Sequence, residues 1–156
     1  MNRIFSGAFA GRKNIGFGMA LFLILGVVAG VPLTIDLLGG SMLTEAQYQT
    51  WKVLHGYGIF LAFVNFFFGY CIDRLNVNRR QKETASWAFV TAGAVGGIGR
   101  PVLFLLTVPV GVISLTISLI ETVGFVLGTF IFIRGLMNAN PAQQPEEPEH
   151  TVPVLD

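Results

Sequence analysis

Charged residues are scarce in this sequence. Only 12% of its 156 residues are Asp, Glu, Lys or Arg, whereas soluble domains carry about 25%. Apolar residues make up 53%, and the mean hydropathy is +0.65. A water-soluble surface needs more charge than this, and a helix satisfies its own backbone hydrogen bonds inside a lipid bilayer. The scarcity of charge therefore predicts an all-α integral membrane protein.

Cysteine and clustered basic residues are also rare. Cys71 is the single cysteine, which excludes a disulfide framework and a CxxC redox or zinc site. The ten basic residues are spread over several loops, so no basic block indicates a nucleic-acid partner. No nucleophile with a neighbouring base, carboxylate pair or phosphate loop is visible. We therefore expect that the chain is not an enzyme on its own.

Long apolar runs are the main feature that the sequence does have. About 20 apolar residues cross a bilayer once, and four such runs cover residues 15–38, 51–72, 86–107 and 111–134. Pro109 lies in the short link between the last two runs and predicts a tight turn at 107–110. The runs predict an antiparallel bundle of four transmembrane helices within residues 1–137.

The segment 138–156 has a different composition. It is rich in Pro, Gln and Glu and has little apolar surface to bury, which predicts a disordered acidic tail.

Basic residues lie mostly on one side of the predicted bundle. Lys52 is the only one on the opposite side. Because basic loops stay in the cytoplasm, we expect both termini and the 73–85 loop to be cytoplasmic, and the membrane to be the bacterial inner membrane. The basic residues that carry this prediction are Arg3, Arg12, Lys13, Arg74, Arg79, Arg80 and Lys82.

The second run presents small and polar residues on a single face. Steps of three and four residues align His55, Gly58, Ala62, Asn65 and Gly69. Hydrocarbon offers no hydrogen bond to an imidazole or an amide, so this stripe must face protein. A histidine in this position is either a hydrogen-bonded packing residue or the axial ligand of a flat cofactor such as a porphyrin, for which the small residues leave room.

Two charged residues lie within predicted spans. At 1.5 Å per residue, Arg100 and Glu121 lie about 10 and about 15 Å below the outer ends of their helices. A charge near the bilayer centre costs at least about 2.5–3.5 kcal/mol, so we expect a buried ion pair between them. Two functional roles stay open: Arg100 holds a carboxylate of a ligand, or Glu121 relays protons. We expect His55 to share their pocket.

The stretch 43–69, LTEAQYQTWKVLHGYGIFLAFVNFFFG, resembles the junction between the first two helices of subunit I of the haem-copper oxidase and nitric oxide reductase superfamily. In that family an external segment of the type L-[ST]-x-x-x-Y precedes a histidine-glycine pair, and the histidine is an axial ligand of the low-spin haem. The residues that match in order are Leu43, Thr44, Tyr48, His55 and Gly56.

The resemblance implies a haem b site for electron transfer or haem handling. His55 would bind the haem iron. Gly58, Ala62 and Asn65 would lie beside the porphyrin, and Arg100 would offset the charge of a propionate. No second histidine lies within a predicted span, so the ligand count excludes oxygen reduction by these residues alone. A second copy, in a homo-oligomer, or another subunit would complete the coordination.

A second function fits the same glycine-rich helices. Small residues let helices approach closely in a membrane, so the chain is alternatively a non-catalytic accessory subunit that packs against a larger, respiratory membrane complex. A transporter is disfavoured, because neither an inverted repeat nor paired broken helices are present.

Overall fold

The computed structural model describes residues 10–40, 43–105 and 111–138, with the backbone alone at 104–105. Within these ranges the regular structure is entirely helical. The turn predicted at 107–110 lies outside the described residues, and so does the predicted tail except for Asn138.

Three of the helices are long and apolar enough to cross a membrane. The first covers Arg12–Leu37, with a π-helical segment at Phe22–Val28. The second covers Glu45–Ile72 and the fourth covers Val112–Met137. At most 28% of the residues in their most apolar windows are buried inside the protein, so the outer surface of these helices is suited to hydrocarbon.

The third helix is continuous but irregular. It begins at Arg79–Ala94, passes through a π-helical segment at Val95–Gly99, and ends at Arg100–Leu105. Pro101 lies two residues after the end of the π-helical segment, and proline lacks the N–H that an α-helix needs at this position. The helix starts seven residues before the predicted run 86–107, because its first two turns are polar.

Side-chain caps set two of the helix starts. Thr44 and Gln47 form a capping box at the start of the second helix, at the spacing that this motif requires. Asn78 and Gln81 form another at the start of the third helix. Each pair satisfies backbone N–H groups that have no partner within the helix.

Asp73 joins the first helix to the second in the same way. Its carboxylate accepts hydrogen bonds from the backbone N–H groups of Ala10 and Gly11, at 3.0 and 3.1 Å. A carboxylate in this position also complements the positive end of the helix dipole. The entry of the first helix is therefore fixed by a residue 62 positions further along the chain.

Glycines bring the antiparallel helices into close contact. A Cβ added at Gly69 would lie 2.8 Å from the carbonyl oxygen of Gly11, and one at Gly124 would lie 2.8 Å from that of Ala88. Towards the Ile72 end of the second helix, Phe68 stacks on the fully buried Phe89 with ring centroids 3.9 Å apart. These contacts join the first helix to the second, the second to the third, and the third to the fourth.

Candidate functional site

Arg100 and Glu121 form an ion pair between the third and fourth helices. Arg100 Nη2 lies 2.7 Å from Glu121 Oε2, and Arg100 Nε donates to the same oxygen at 3.1 Å. The Glu121 side chain is 5% exposed and that of Arg100 is 46% exposed. The carboxylate is therefore the buried partner, and the guanidinium reaches the surface of the bundle.

The second helix completes this cluster through Tyr57. The phenol donates a hydrogen bond to Glu121 Oε1, and the Arg100 guanidinium lies 5.7 Å from the centroid of the phenol ring. Ser118 Oγ also accepts from Arg100 at 3.2 Å. Gly96 leaves the space that the carboxylate fills, because a Cβ added there would overlap Glu121 Oε1. The sequence analysis did not identify Tyr57, although it lies near the predicted depth of Arg100.

His55 faces the first helix instead of this cluster. Its Nδ1 lies 3.0 Å from the carbonyl oxygen of Leu25, inside the π-helical segment Phe22–Val28. A carbonyl oxygen only accepts, so Nδ1 carries the hydrogen, and in the neutral tautomer with this hydrogen the lone pair is on Nε2. The ring lies over Gly30, where an added Cβ would be 2.9 Å from His55 Cε1.

A groove of about 600 Å³ borders the imidazole. Residues of the first helix, among them Gly26, Gly30 and Thr34, line it together with Tyr48 and His55 of the second helix. Within the described part of the chain, Nε2 has no hydrogen-bond partner. The groove therefore combines open space with one nitrogen that has a lone pair available.

The first helix packs against the other stripe residues, and a separate apolar groove of about 440 Å³ borders Ala62. Gly58 packs against the Leu25 side chain, and the carbonyl oxygen of Ala62 would lie 2.7 Å from a Cβ added at Gly18. Gly58, Ala62 and Gly69 are all buried. Of the predicted stripe, only His55 borders the groove of about 600 Å³.

Asn65 belongs to a buried polar cluster. Its side chain accepts from Asn14 Nδ2 at 3.3 Å and donates to the carbonyl oxygen of Leu61 at 3.1 Å. Ser86 Oγ lies 2.8 Å from the carbonyl oxygen of Ala10 and also contacts Asn14 Oδ1, and its single hydrogen donates to one of these two acceptors. Asn14, Asn65 and Ser86 are each 0% exposed. Asn14 bonds to both the second and the third helix, whereas Asn65 Nδ2 bonds within its own helix. Asn14 and Ser86 were not identified from the sequence.

The structure thus distributes the predicted site residues over separate places. Arg100 joins Glu121 and Tyr57, whereas His55 contacts Leu25 and Gly30, and no hydrogen bond or ion pair between described residues links the two groups. Among the described residues there is also no group of three or more His, Cys, Asp or Glu side chains that would hold a metal ion.

Comparisons with protein-family models, with curated proteins and with solved structures find no match to this chain.

Proposed function

We propose that the chain is a four-span protein of the bacterial inner membrane, with both termini in the cytoplasm. The distribution of basic residues supports this orientation. The third helix would form the remaining span, since it is continuous over 79–105 and the one charged residue in its apolar part, 86–105, is Arg100, which is paired with Glu121.

Cysteine labelling tests the orientation. In a Cys71→Ala background, Ala46→Cys and Arg80→Cys each introduce a thiol at an exposed position, one at the start of the second helix and one at the start of the third. We expect an impermeant maleimide added to intact cells to label the first variant and not the second. Labelling of Arg80→Cys from outside the cell would show that the proposed orientation is wrong.

We further propose that the protein binds haem b through His55 Nε2, for electron transfer or haem handling. The observation that carries this proposal is the hydrogen bond from Nδ1 to Leu25, which leaves Nε2 as an acceptor beside the open groove. An imidazole that ligates a metal usually donates its other N–H to a carbonyl or carboxylate. A bound haem would supply a one-electron iron couple.

Gly30 belongs to the same site. It provides the space that the imidazole occupies, since an added Cβ would lie 2.9 Å from Cε1 and 3.3 Å from Nδ1. The residues that would hold the cofactor are therefore His55, Leu25 and Gly30. Arg100 has no part in this site, because its donors face Glu121 and Ser118. Coordination on the opposite side of the iron would come from a second copy or another subunit.

A matched pair of glycine variants tests this arrangement. Gly30→Ala displaces the imidazole, whereas Gly16→Ala, in the same helix, meets nothing within 4 Å. We expect the purified wild type to show a Soret band, Gly30→Ala to lose most of it, and Gly16→Ala to retain it. If the wild-type protein shows no Soret band after growth with added haem, the haem proposal is wrong.

The accessory-subunit function has its own supporting observation. The small residues of the second helix are used in packing against the first helix, as in a protein whose role is to hold helices together. Copurification in mild detergent with one defined large complex, together with the absence of a cofactor spectrum, would favour this function.

A further inference from the structure

Positive charge is concentrated at the end of the bundle that carries the 73–78 loop. Among the residues that the structure describes, two acidic side chains, Asp73 and Glu83, accompany seven basic ones there. The basic residues are Arg12, Lys13, Arg74, Arg79, Arg80, Lys82 and Arg134. At the opposite end, the described charged residues are Asp36, Glu45 and Lys52, so the excess of positive charge belongs to one end only.

Both acidic side chains at the basic end are already engaged. Glu83 pairs with Lys13, whose ammonium also lies 4.5 Å from the centroid of the Trp87 ring. The Asp73 carboxylate accepts from two backbone N–H groups. Lys82 donates to the backbone carbonyl of Asp73, at 2.7 Å, instead of to a carboxylate. Neither acid therefore neutralises the arginines.

Four of these arginines are exposed and have no ion pair or hydrogen bond within the described part of the chain. They lie on the first, third and fourth helices, so together they surround this end of the bundle. We call them the basic rim; its members are Arg12, Arg79, Arg80 and Arg134.

Large apolar side chains lie next to the basic rim. Trp87 is 58% exposed, and Leu136 and Met137 are 55% and 80% exposed. A ligand that covers both surfaces must combine negative charge with hydrocarbon. Free phosphate meets the first requirement only, whereas an anionic phospholipid meets both.

We propose that the basic rim binds the phosphate groups of anionic phospholipids in the adjacent leaflet, with their acyl chains on the apolar surface beside it. Each arginine near an anionic lipid surface contributes a factor of about five in binding. The attraction is electrostatic and screened by salt. It requires no haem, so it stands or falls independently of the His55 site.

The two tryptophans provide an internal comparison. Trp87 lies beside the rim and Trp51 near the opposite end of the second helix. In vesicles of phosphatidylcholine and phosphatidylglycerol, the Trp51→Phe variant reports on Trp87 alone and the Trp87→Phe variant reports on Trp51 alone. We expect brominated phosphatidylglycerol to show at least a tenfold binding preference over brominated phosphatidylcholine at Trp87 and none at Trp51.

Arginine variants show whether the rim causes the preference. In the Trp51→Phe background, Arg79→Gln with Arg80→Gln should lower the preference at Trp87 at least fivefold, and Lys52→Gln should leave it unchanged. Melting temperatures of both variants verify that they fold. Equal quenching by the two lipids at Trp87, equal preference at Trp51, or an unchanged preference in the double variant would each overturn the proposal.

A salt comparison separates a lipid from a soluble anion. Sodium chloride and sodium phosphate at the same ionic strength should reduce the preference equally if the rim binds lipid headgroups. A much larger reduction by phosphate would identify a site for free phosphate and overturn the lipid assignment.

Discussion

Glu121 is held by two side chains from two other helices. Its two carboxylate oxygens accept from Tyr57 and Arg100, and Arg100 is held in turn by Ser118. Removing Arg100 would leave a buried carboxylate with a single donor, and removing Glu121 would leave a cation in hydrocarbon. Each single loss should therefore cost more than the loss of both charges.

A double-mutant cycle measures this coupling. We expect Arg100→Leu and Glu121→Leu each to lower the free energy of unfolding by about 3 kcal/mol, the value typical of a broken buried pair, and the double variant to lose much less than the sum. Thermal or denaturant unfolding in detergent gives the values. Simple additivity of the two losses would contradict a direct interaction.

Single residues were predictable from the sequence where periodicity or charge set them apart. Helical spacing identified Gly58, Ala62, Asn65 and Gly69, which the structure buries, and the cost of burying a charge indicated that Arg100 needed a partner. Asn14 and Ser86 carried no such signal, because Asn14 lies just before the first apolar run and Ser86 at the start of the third, where polar residues are common.

At the scale of the helix, two π-helical segments place the polar groups of the bundle. Phe22–Val28 contains the carbonyl that His55 contacts, and Val95–Gly99 contains Gly96, which accommodates Glu121. Such segments are often found at functional sites. The sequence could not reveal them, because their positions depend on the side chains that neighbouring helices insert against them.

Close contact between the first and second helices depends on one glycine in particular. A Cβ added at Gly69 would lie 2.8 Å from Gly11 O and 2.9 Å from Ile15 N, whereas one at Gly56, in the same helix, meets nothing within 4 Å. These two atoms belong to the backbone, and the third close atom, Asn14 Cβ at 2.8 Å, is fixed to the backbone, so relief requires the helices to separate.

Gly69→Ala should therefore destabilise the protein by about 1–3 kcal/mol, the usual cost of overpacking. Gly56→Ala should be neutral or slightly stabilising, because alanine favours a helix over glycine by about 1 kcal/mol. Melting of the two variants side by side tests the contact. Equal effects would show that the helices do not approach as closely as described.

At the scale of the whole molecule, buried polar side chains are hydrogen-bonded to other side chains or to the backbone, and many large apolar side chains are exposed on the outer surface. Within the described residues, every buried side-chain nitrogen or oxygen has a hydrogen-bond partner. The class of protein, a helical membrane protein, could be predicted from composition because it depends on the overall proportions of apolar and charged residues. The division of the polar residues into separate sites could not, because it depends on which helices become neighbours.

His55 differs from the other polar residues of the bundle in having one ring nitrogen held and the other available beside open space. This asymmetry is what a single axial ligand requires, and a purely structural histidine has no need of the groove. The account therefore depends most on whether Nε2 binds iron.

The most direct test is the haem content per chain of wild type and His55→Ala, purified from haem-replete membranes at equal expression. The account predicts bound haem b in the wild type and at least tenfold less in the variant, with both chains folded by their melting curves. The same haem content in the two proteins, or none in either, would contradict it.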